Sequence, residues 1–170
     1  EIVADQWVDN WDAANALKLM ENILTGANND VDAVVASNDG TALGALQALS
    51  AQGLAGKVPI SGQDATADGC NSIVKGELTV SILKDIRNLS PIAVDMTDNL
   101  LNGKPVEGLE EFTMAELTND DTKQGNVKAL FLPVEQVNKD NVFDLCVKNG
   151  FQSYDDVYRD VPEDQRPPKP

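Results

Sequence analysis

The sequence predicts an α/β fold built on a doubly wound, Rossmann-like parallel sheet. Short apolar segments of strand length alternate with segments of helical spacing, at intervals of about 25 residues. Most of the helical segments end at a glycine, which is a common residue at helix C-termini. Alternation of this kind builds βαβ units, whose right-handed crossovers produce a parallel sheet.

Four strands and four helices account for the first hundred residues. The predicted strands are residues 1–5, 32–37, 57–62 and 78–83. The predicted helices are residues 12–26, 41–52 and 66–75, followed by a fourth that ends at Asn102-Gly103. Ser90-Pro91 is expected to begin this fourth helix, because serine is a common N-cap and proline is favoured at the next position.

The alternation stops after Gly103. Residues 111–117 and 127–137 are predicted to be extended, with a polar loop at 118–125 between them. Residues 139–148 predict a last short helix that ends at Asn149-Gly150. The tail from residue 152 carries four prolines among charged residues, and we expect it to lie along the surface or to be disordered.

Charge and composition exclude several classes of function. The chain of 170 residues has 13 Lys and Arg against 28 Asp and Glu, a net charge of −15, which disfavours binding to nucleic acid or anionic lipid. Histidine is absent, which removes the commonest general base and zinc ligand. The apolar runs are too short to span a membrane. We expect no metal, no cofactor and no catalytic residue.

Polar and aromatic residues follow the predicted strands, at the edge of a parallel sheet where ligands bind. They are Trp11, Asn38, Asp64 and Lys84. Carboxylate, carboxamide and ammonium groups suit a polyhydroxylated ligand, and an indole can cover the C–H face of a sugar ring. Each residue also has a structural interpretation. Asn38 and Asp64 could cap helices, Lys84 could be a solvated charge, and Trp11 could pack against its helix.

The two cysteines, Cys70 and Cys146, are too far apart in sequence for a CxxC motif. One interpretation is a pair of buried thiols. The other is a disulfide between neighbouring helices, which requires an oxidising compartment.

Five segments resemble the sugar-binding proteins of bacterial ABC transporters, the type I periplasmic binding proteins of the ribose, galactose and xylose group. The segments are residues 3–9 (VADQWVD), 32–39 (DAVVASND), 48–54 (ALSAQGL), 60–65 (ISGQDA) and 132–139 (LPVEQVNK). Proteins of this group close two lobes, joined by three hinge strands, around a sugar. The resemblance implies non-catalytic binding of a monosaccharide, with xylose the first expectation.

The resemblance also implies roles for single residues. Trp11 would stack on the sugar ring, Asn38 and Asp64 would bind its hydroxyls, and Lys84 would donate a hydrogen bond from a hinge strand. Placing Cys70 and Cys146 in one lobe of an exported protein favours the disulfide.

This chain resembles the C-terminal part of such a protein. Residues 1–84 would form most of the C-terminal lobe, and 85–117 would return to the N-terminal lobe. Residues 118–151 would contain a hinge crossing and return to the C-terminal lobe, and 152–170 would form an acidic, proline-rich tail. The missing N-terminal lobe would be supplied by another chain or a removed segment, which could also carry a lipid anchor.

The expected location is extracytoplasmic, and the expected partners are the sugar and an ABC-transporter permease or a membrane sensor. The main alternative is the sugar-sensing effector domain of a LacI-type repressor, which shares the fold but would need a basic DNA-binding headpiece. Two weaker alternatives are a phosphoacceptor domain using Asp64 and Lys84, and an enzyme with a Schiff base at Lys84.

Overall fold

The computed structural model describes all 170 residues and divides them into two compact units. Unit 1 contains Glu1–Lys84 and Val134–Pro170, so two separate segments of the chain build it. Unit 2 contains Asp85–Pro133. Residues 118–133, which the sequence assigns to the hinge crossing and lobe return, therefore belong to unit 2.

A four-stranded sheet lies at the centre of unit 1. Its strands are β1 (Val34–Val35), β2 (Ile60–Gln63), β3 (Val80–Leu83) and β6 (Glu135–Val137), in that order. The first three run parallel, as the alternating pattern predicts, and β6 pairs antiparallel with β3. The predicted α/β class with a parallel sheet is confirmed. β1 is shorter than the predicted strand at residues 32–37, because only Val34 and Val35 pair with β2.

Three helices alternate with the parallel strands, close to their predicted positions: one precedes β1 and two connect β1 to β2 and β2 to β3. They are α1 (Ala13–Gly26), α2 (Asp39–Ala51) and α3 (Ala67–Lys75). Asp12, Asn38 and Thr66 cap their N-termini, each accepting a hydrogen bond from a backbone N–H three residues later. The second segment of unit 1 adds a π-helix at Phe143–Lys148 and the short helix α6 at Tyr154–Val157.

The core of unit 1 combines both chain segments. Ile60, Ile73 and Val137 are fully or almost fully buried, and Val157 from the tail has no exposed surface. The helix pair α1–α2 packs closely because both helices present small residues at their crossing. A Cβ on Gly44 of α2 would overlap the carbonyl oxygen of Ala13 in α1.

Unit 2 consists of a long helix and a pair of antiparallel strands joined through a short helix. The helix α4 (Ile86–Leu101) is followed by β4 (Glu110–Thr113), the short helix α5 (Met114–Thr118) and β5 (Asn126–Ala129). β4 and β5 pair antiparallel, and the Phe112 and Phe131 rings meet edge to face with centroids 5.1 Å apart. α4 has no fully buried residue, and five of its apolar residues are exposed: Ile86, Leu89, Val94, Leu100 and Leu101.

The prediction of a strand at residues 1–5 is wrong. The segment is irregular, and Ile2 is 82% exposed. β1, the nearest edge of the sheet, has only two paired residues and offers few hydrogen bonds. Ordering a terminal segment costs about 1–2 kcal/mol per residue, which so short a ladder does not offset.

Three predicted features in the second half of the chain are also wrong. α4 begins at Ile86 because the Asp85 side chain accepts from the Arg87 N–H, so Pro91 lies inside the helix rather than at its start. Residues 111–117 are half strand and half helix, because Thr113 and Glu116 form a capping box that starts α5. The extended segment 127–137 is two strands in different sheets.

The tail after residue 152 is folded rather than disordered. Tyr158 is buried, and the Tyr154 hydroxyl donates to the carbonyl oxygen of Pro167 at 2.7 Å. Lys169 lies 5.6 Å from the centre of the Tyr154 ring and pairs with Asp155. The prediction of disorder rests on the four prolines and does not take into account that Tyr154 and Tyr158 could hold the tail in place. No helix anywhere in the chain has the length and apolar character that spanning a bilayer requires.

We expect the substitution Gly44→Ala to destabilise unit 1 by about 1–3 kcal/mol, because the new methyl group would push α1 away from α2. Gly26→Ala is the matched control, since it also lies in a helix but a Cβ there would contact nothing. Urea unfolding followed by circular dichroism measures both. Equal stability of the two variants would contradict the close α1–α2 crossing.

Candidate functional site

The register of the sheet brings three of the four predicted site residues to one edge. Val35 pairs with Ser61, and Gln63 pairs with Ile82. Asn38 and Asp64 therefore follow neighbouring strands at the same level, and Lys84 follows the third strand. The Gln63 side chain connects the segments that follow β1 and β2, because its Nε2 donates to the Ser37 carbonyl oxygen at 3.2 Å.

Asp64 and Lys84 form an ion pair at this edge. The Lys84 Nζ lies 3.2 Å from the Asp64 Oδ1, and each side chain is 43% exposed. A pair as open as this contributes at most about 1 kcal/mol to stability, because water screens it. Holding the two charges together therefore does little for the fold, and both remain accessible to a ligand.

Asn38 caps a helix and also keeps a group for a ligand. Its Oδ1 accepts from the Thr41 N–H at 2.8 Å and from the Thr41 hydroxyl at 2.7 Å. The structural interpretation, capping of α2, is therefore what the structure shows. Because Oδ1 is engaged in the cap, the Asn38 Nδ2 is the group that can donate to a ligand.

Trp11 lies in the turn before α1, next to the exit of β1. Its carbonyl oxygen is 3.9 Å from the place where a Cβ of Gly40 would stand, and the Asn38 side chain is 3.7 Å from the same point. The indole is 58% exposed, so it does not serve mainly to pack α1. All four predicted residues thus lie at or next to the carboxyl edge of the sheet.

Unusual backbone conformations concentrate in the two loops that carry Trp11 and Asp64. Seven residues other than glycine have a positive φ, and four of them are Asn10, Trp11, Asp64 and Ala65. Left-handed backbone is costly for such residues and persists where the surroundings hold it in place. Conformations of this kind are frequent at binding sites.

Hydrogen bonds hold the loop at Asp64 and Ala65 from three sides. The Asp64 N–H donates to the Ile82 carbonyl at 2.8 Å, and the Ala65 N–H donates to the Ser81 hydroxyl at 2.9 Å. The Ala65 carbonyl accepts from the Gln152 side chain at 2.8 Å. The Asp64 carboxylate is therefore presented by a fixed backbone.

Asp39 is the site-supporting residue that sequence reasoning missed. It has no exposed surface, and its Oδ1 accepts from the Ser81 hydroxyl at 2.6 Å. Its Oδ2 accepts from the Thr66 N–H at 2.8 Å and the Thr66 hydroxyl at 3.1 Å. Desolvation by burial raises the pKa of Asp39, although these hydrogen bonds act in the opposite direction.

Two glycines make room for the Asp39 carboxylate. A Cβ on either Gly62 or Gly69 would overlap its oxygens. Gly62 belongs to β2 and Gly69 to α3, so the carboxylate fills a space between a strand and a helix. A buried polar residue, Ser81, at an otherwise apolar strand position was the available signal in the sequence.

The assembled groups offer hydrogen-bond donors, hydrogen-bond acceptors and an aromatic surface at one edge of the sheet. No cluster of three or more His, Cys, Asp or Glu is placed to hold a metal ion. The site groups comprise a carboxylate acceptor, ammonium and amide donors, and an exposed indole. Together they can bind a neutral molecule that carries both hydroxyl groups and an apolar face.

Comparison with known proteins agrees with this geometry. A family model described as a periplasmic binding protein domain matches residues 1–105. The chain belongs to this family, which confirms the resemblance found in the sequence.

The curated relatives include two xylose-binding proteins. The chain is 46% identical over 151 residues to the D-xylose-binding periplasmic protein of Escherichia coli K12. It is 45% identical over 158 residues to the protein of the same name from Haemophilus influenzae. These matches cover 89% and 93% of this chain but 43% and 45% of the relatives, so the chain spans less than half of their length.

Solved structures with bound sugars share the fold. A carbohydrate transporter solute-binding protein from Chloroflexus aurantiacus, in complex with D-glucose, matches with a TM-score of 0.70 and 29% identity. It covers 86% of this chain and 42% of that one. An ABC transporter solute-binding protein from Actinobacillus succinogenes 130z with bound D-allose has a TM-score of 0.65 and 26% identity, covering 83% and 42%.

We expect Asp39→Asn to change how stability depends on pH. The folded state binds the Asp39 proton more tightly than the unfolded chain does, because the folded pKa is raised. The wild type should therefore lose stability relative to Asp39→Asn as pH rises from about 4, the ordinary aspartate pKa, toward neutral. Urea unfolding of both proteins across this range measures the difference. A wild type that gains stability relative to the variant would contradict the raised pKa.

Proposed function

We propose that this chain forms one wall of a non-catalytic monosaccharide site, with D-xylose as the leading ligand. The observation that carries the proposal is the convergence of Trp11, Asn38, Asp64 and Lys84 at the carboxyl edge of one sheet, with Trp11 and Asp64 in left-handed backbone. The names of the xylose-binding relatives and the sugars in the matching structures support it.

The four residues divide the recognition of a sugar among them. The Asp64 Oδ2 accepts from a hydroxyl, while Oδ1 stays paired with Lys84. The Asn38 Nδ2 and the Lys84 ammonium donate to hydroxyl oxygens. Trp11 covers the C–H face of the ring with its exposed indole. Charged hydrogen bonds of this kind are strongest when closure excludes water.

The binding site is complete only with a second lobe. The site residues are open to solvent here, and a half-open cleft leaves the sugar hydroxyls hydrated and gains little affinity. The chain spans 43% and 45% of its xylose-binding relatives, and the missing lobe is supplied by further chain or by a partner. Closure is favoured by the sugar because only the closed state contacts it from both sides.

The protein acts outside the cytoplasm and performs no chemistry on the sugar. Its relatives are named periplasmic, and the solved neighbours are transport solute-binding proteins. The bound sugar is delivered to an ABC-transporter permease or to a membrane sensor. The net charge of −15 is consistent with a protein that is not held on anionic lipid.

We expect Asp64→Ala and Lys84→Ala each to weaken sugar binding by about 2–5 kcal/mol, at least a ~30-fold rise in Kd, because each leaves a charge unpaired in the closed cleft. Isothermal titration calorimetry with xylose, ribose, glucose and galactose, on the protein carrying both lobes, measures this. Lys75→Ala, which removes a comparable ion pair with Glu77 away from the site, is the matched control. Unchanged xylose binding by Asp64→Ala would rule out this site.

Trp11 should report sugar binding by its fluorescence. The chain has two tryptophans, and both are exposed, so the variant Trp7→Phe leaves Trp11 as the only indole. We expect saturating sugar to shift its emission to shorter wavelength as the ring covers the indole. The reciprocal variant Trp11→Phe should show no such shift and should bind more weakly. An emission from Trp11 that ignores bound sugar would exclude stacking.

A further inference from the structure

Cys70 and Cys146 meet in the core although they come from different chain segments. Cys70 lies on α3, Cys146 lies on the π-helix, and neither has any exposed surface. Both are thiols in this structure. Their side chains are in contact, and this contact together with burial raises the pKa of the Cys70 thiol.

Hydrogen bonds hold the two segments in register around the cysteines. The Ala65 carbonyl is 3.5 Å from the Cys70 Sγ and accepts from the Gln152 Nε2 at 2.8 Å. The Gln152 N–H donates to the Cys146 carbonyl at 2.8 Å. One residue further along α3, the Asn71 Nδ2 donates to the Val157 carbonyl at 2.9 Å.

We propose that Cys70 and Cys146 form an intramolecular disulfide when the protein folds in an oxidising compartment. The bond would close a loop that contains all of unit 2 and both connections to it. It would fasten the returning segment of unit 1 to α3, directly beneath the loop that presents Asp64. It would add a covalent link to the β3–β6 pairing and the hydrogen bonds that already join the two segments.

The reaction is a two-electron oxidation by a disulfide oxidant, either an oxidised dithiol oxidoreductase or oxidised glutathione. One cysteine thiolate attacks the oxidant and forms a mixed disulfide, releasing one thiol. The second cysteine thiolate then attacks the protein sulfur of that bond and releases the second thiol. The oxidant is reduced to two thiols, which take up the two protons that the cysteines lose.

Folding and oxidation must occur together. A buried thiol with a raised pKa stays protonated at neutral pH and reacts slowly. The folded dithiol is therefore inert, and exchange takes place while α3 and the π-helix are still accessible.

The experiment refolds the reduced, denatured chain in a mixture of reduced and oxidised glutathione. We expect the intact mass to fall by about 2 Da relative to the reduced protein. Trypsin should release a linked pair of peptides, residues 58–75 joined to 140–148. Two titratable thiols after this treatment, a glutathione adduct, or a disulfide-linked dimer would each overturn the proposal.

Thermal unfolding tests the structural effect by comparing the oxidised protein with protein that has been denatured, reduced and refolded in a phosphine reductant. We expect reduction to lower the Tm of the wild type by about 5–15 °C, because the loop constraint is lost. Cys70→Ala and Cys146→Ala serve as controls, and their Tm should not respond to the reductant even where packing loss lowers it. A wild-type Tm that ignores the reductant would overturn the proposal.

The disulfide proposal rests on the proposed function in one respect, the oxidising compartment outside the cytoplasm. The experiments test the bond in vitro, without sugar. The disulfide and the sugar site can therefore fail separately.

Discussion

The buried carboxylate of Asp39 is the interaction on which the site depends. It lies at the first turn of α2, accepts from Ser81 on β3, and accepts twice from Thr66 at the start of α3. Three elements are thereby fixed by one side chain. The Ser81 hydroxyl also accepts a hydrogen bond from the Ala65 N–H, so the same network fixes the conformation of the backbone at Asp64. Burial of a charge is costly, and these hydrogen bonds offset part of that cost, since the pKa of Asp39 is still raised.

This network separates buried structural groups from the accessible polar groups of the proposed site. Asp39 and Ser81 are buried and structural, whereas Asp64 and Lys84 are half exposed and contribute little to stability. The Asn38 Oδ1 belongs to the cap of α2, and its Nδ2 is the end of the carboxamide that we propose for the sugar. A rigid base with accessible groups above it limits the entropy lost when a sugar is bound.

The parts of the fold that follow local chemistry could be predicted from the sequence. α1, α2 and α3 each begin at a capping side chain, at Asp12, Asn38 and Thr66, and all three lie close to their expected bounds. The positions of Asn38, Asp64 and Lys84 after the carboxyl ends of three parallel strands follow from the strand order alone. Asp39 could not be assigned, because its role depends on Ser81, which is 42 residues away in the chain. The strand expected at residues 1–5 did not form because the two-residue β1 offers too few hydrogen bonds to pair with it. The start of α4 differs because the Asp85 cap begins the helix before Ser90-Pro91.

The chain leaves unit 1 after Lys84 and returns at Val134. The residues just inside these points, Leu83 and Glu135, are partners in the antiparallel ladder. The ends of the inserted unit are thus one rung apart. An insertion with adjacent ends leaves its host a continuous sheet, so residues 85–133 could be replaced by a two-residue hairpin turn. Unit 2 is thus inserted at the position where a simple β-turn could join β3 to β6.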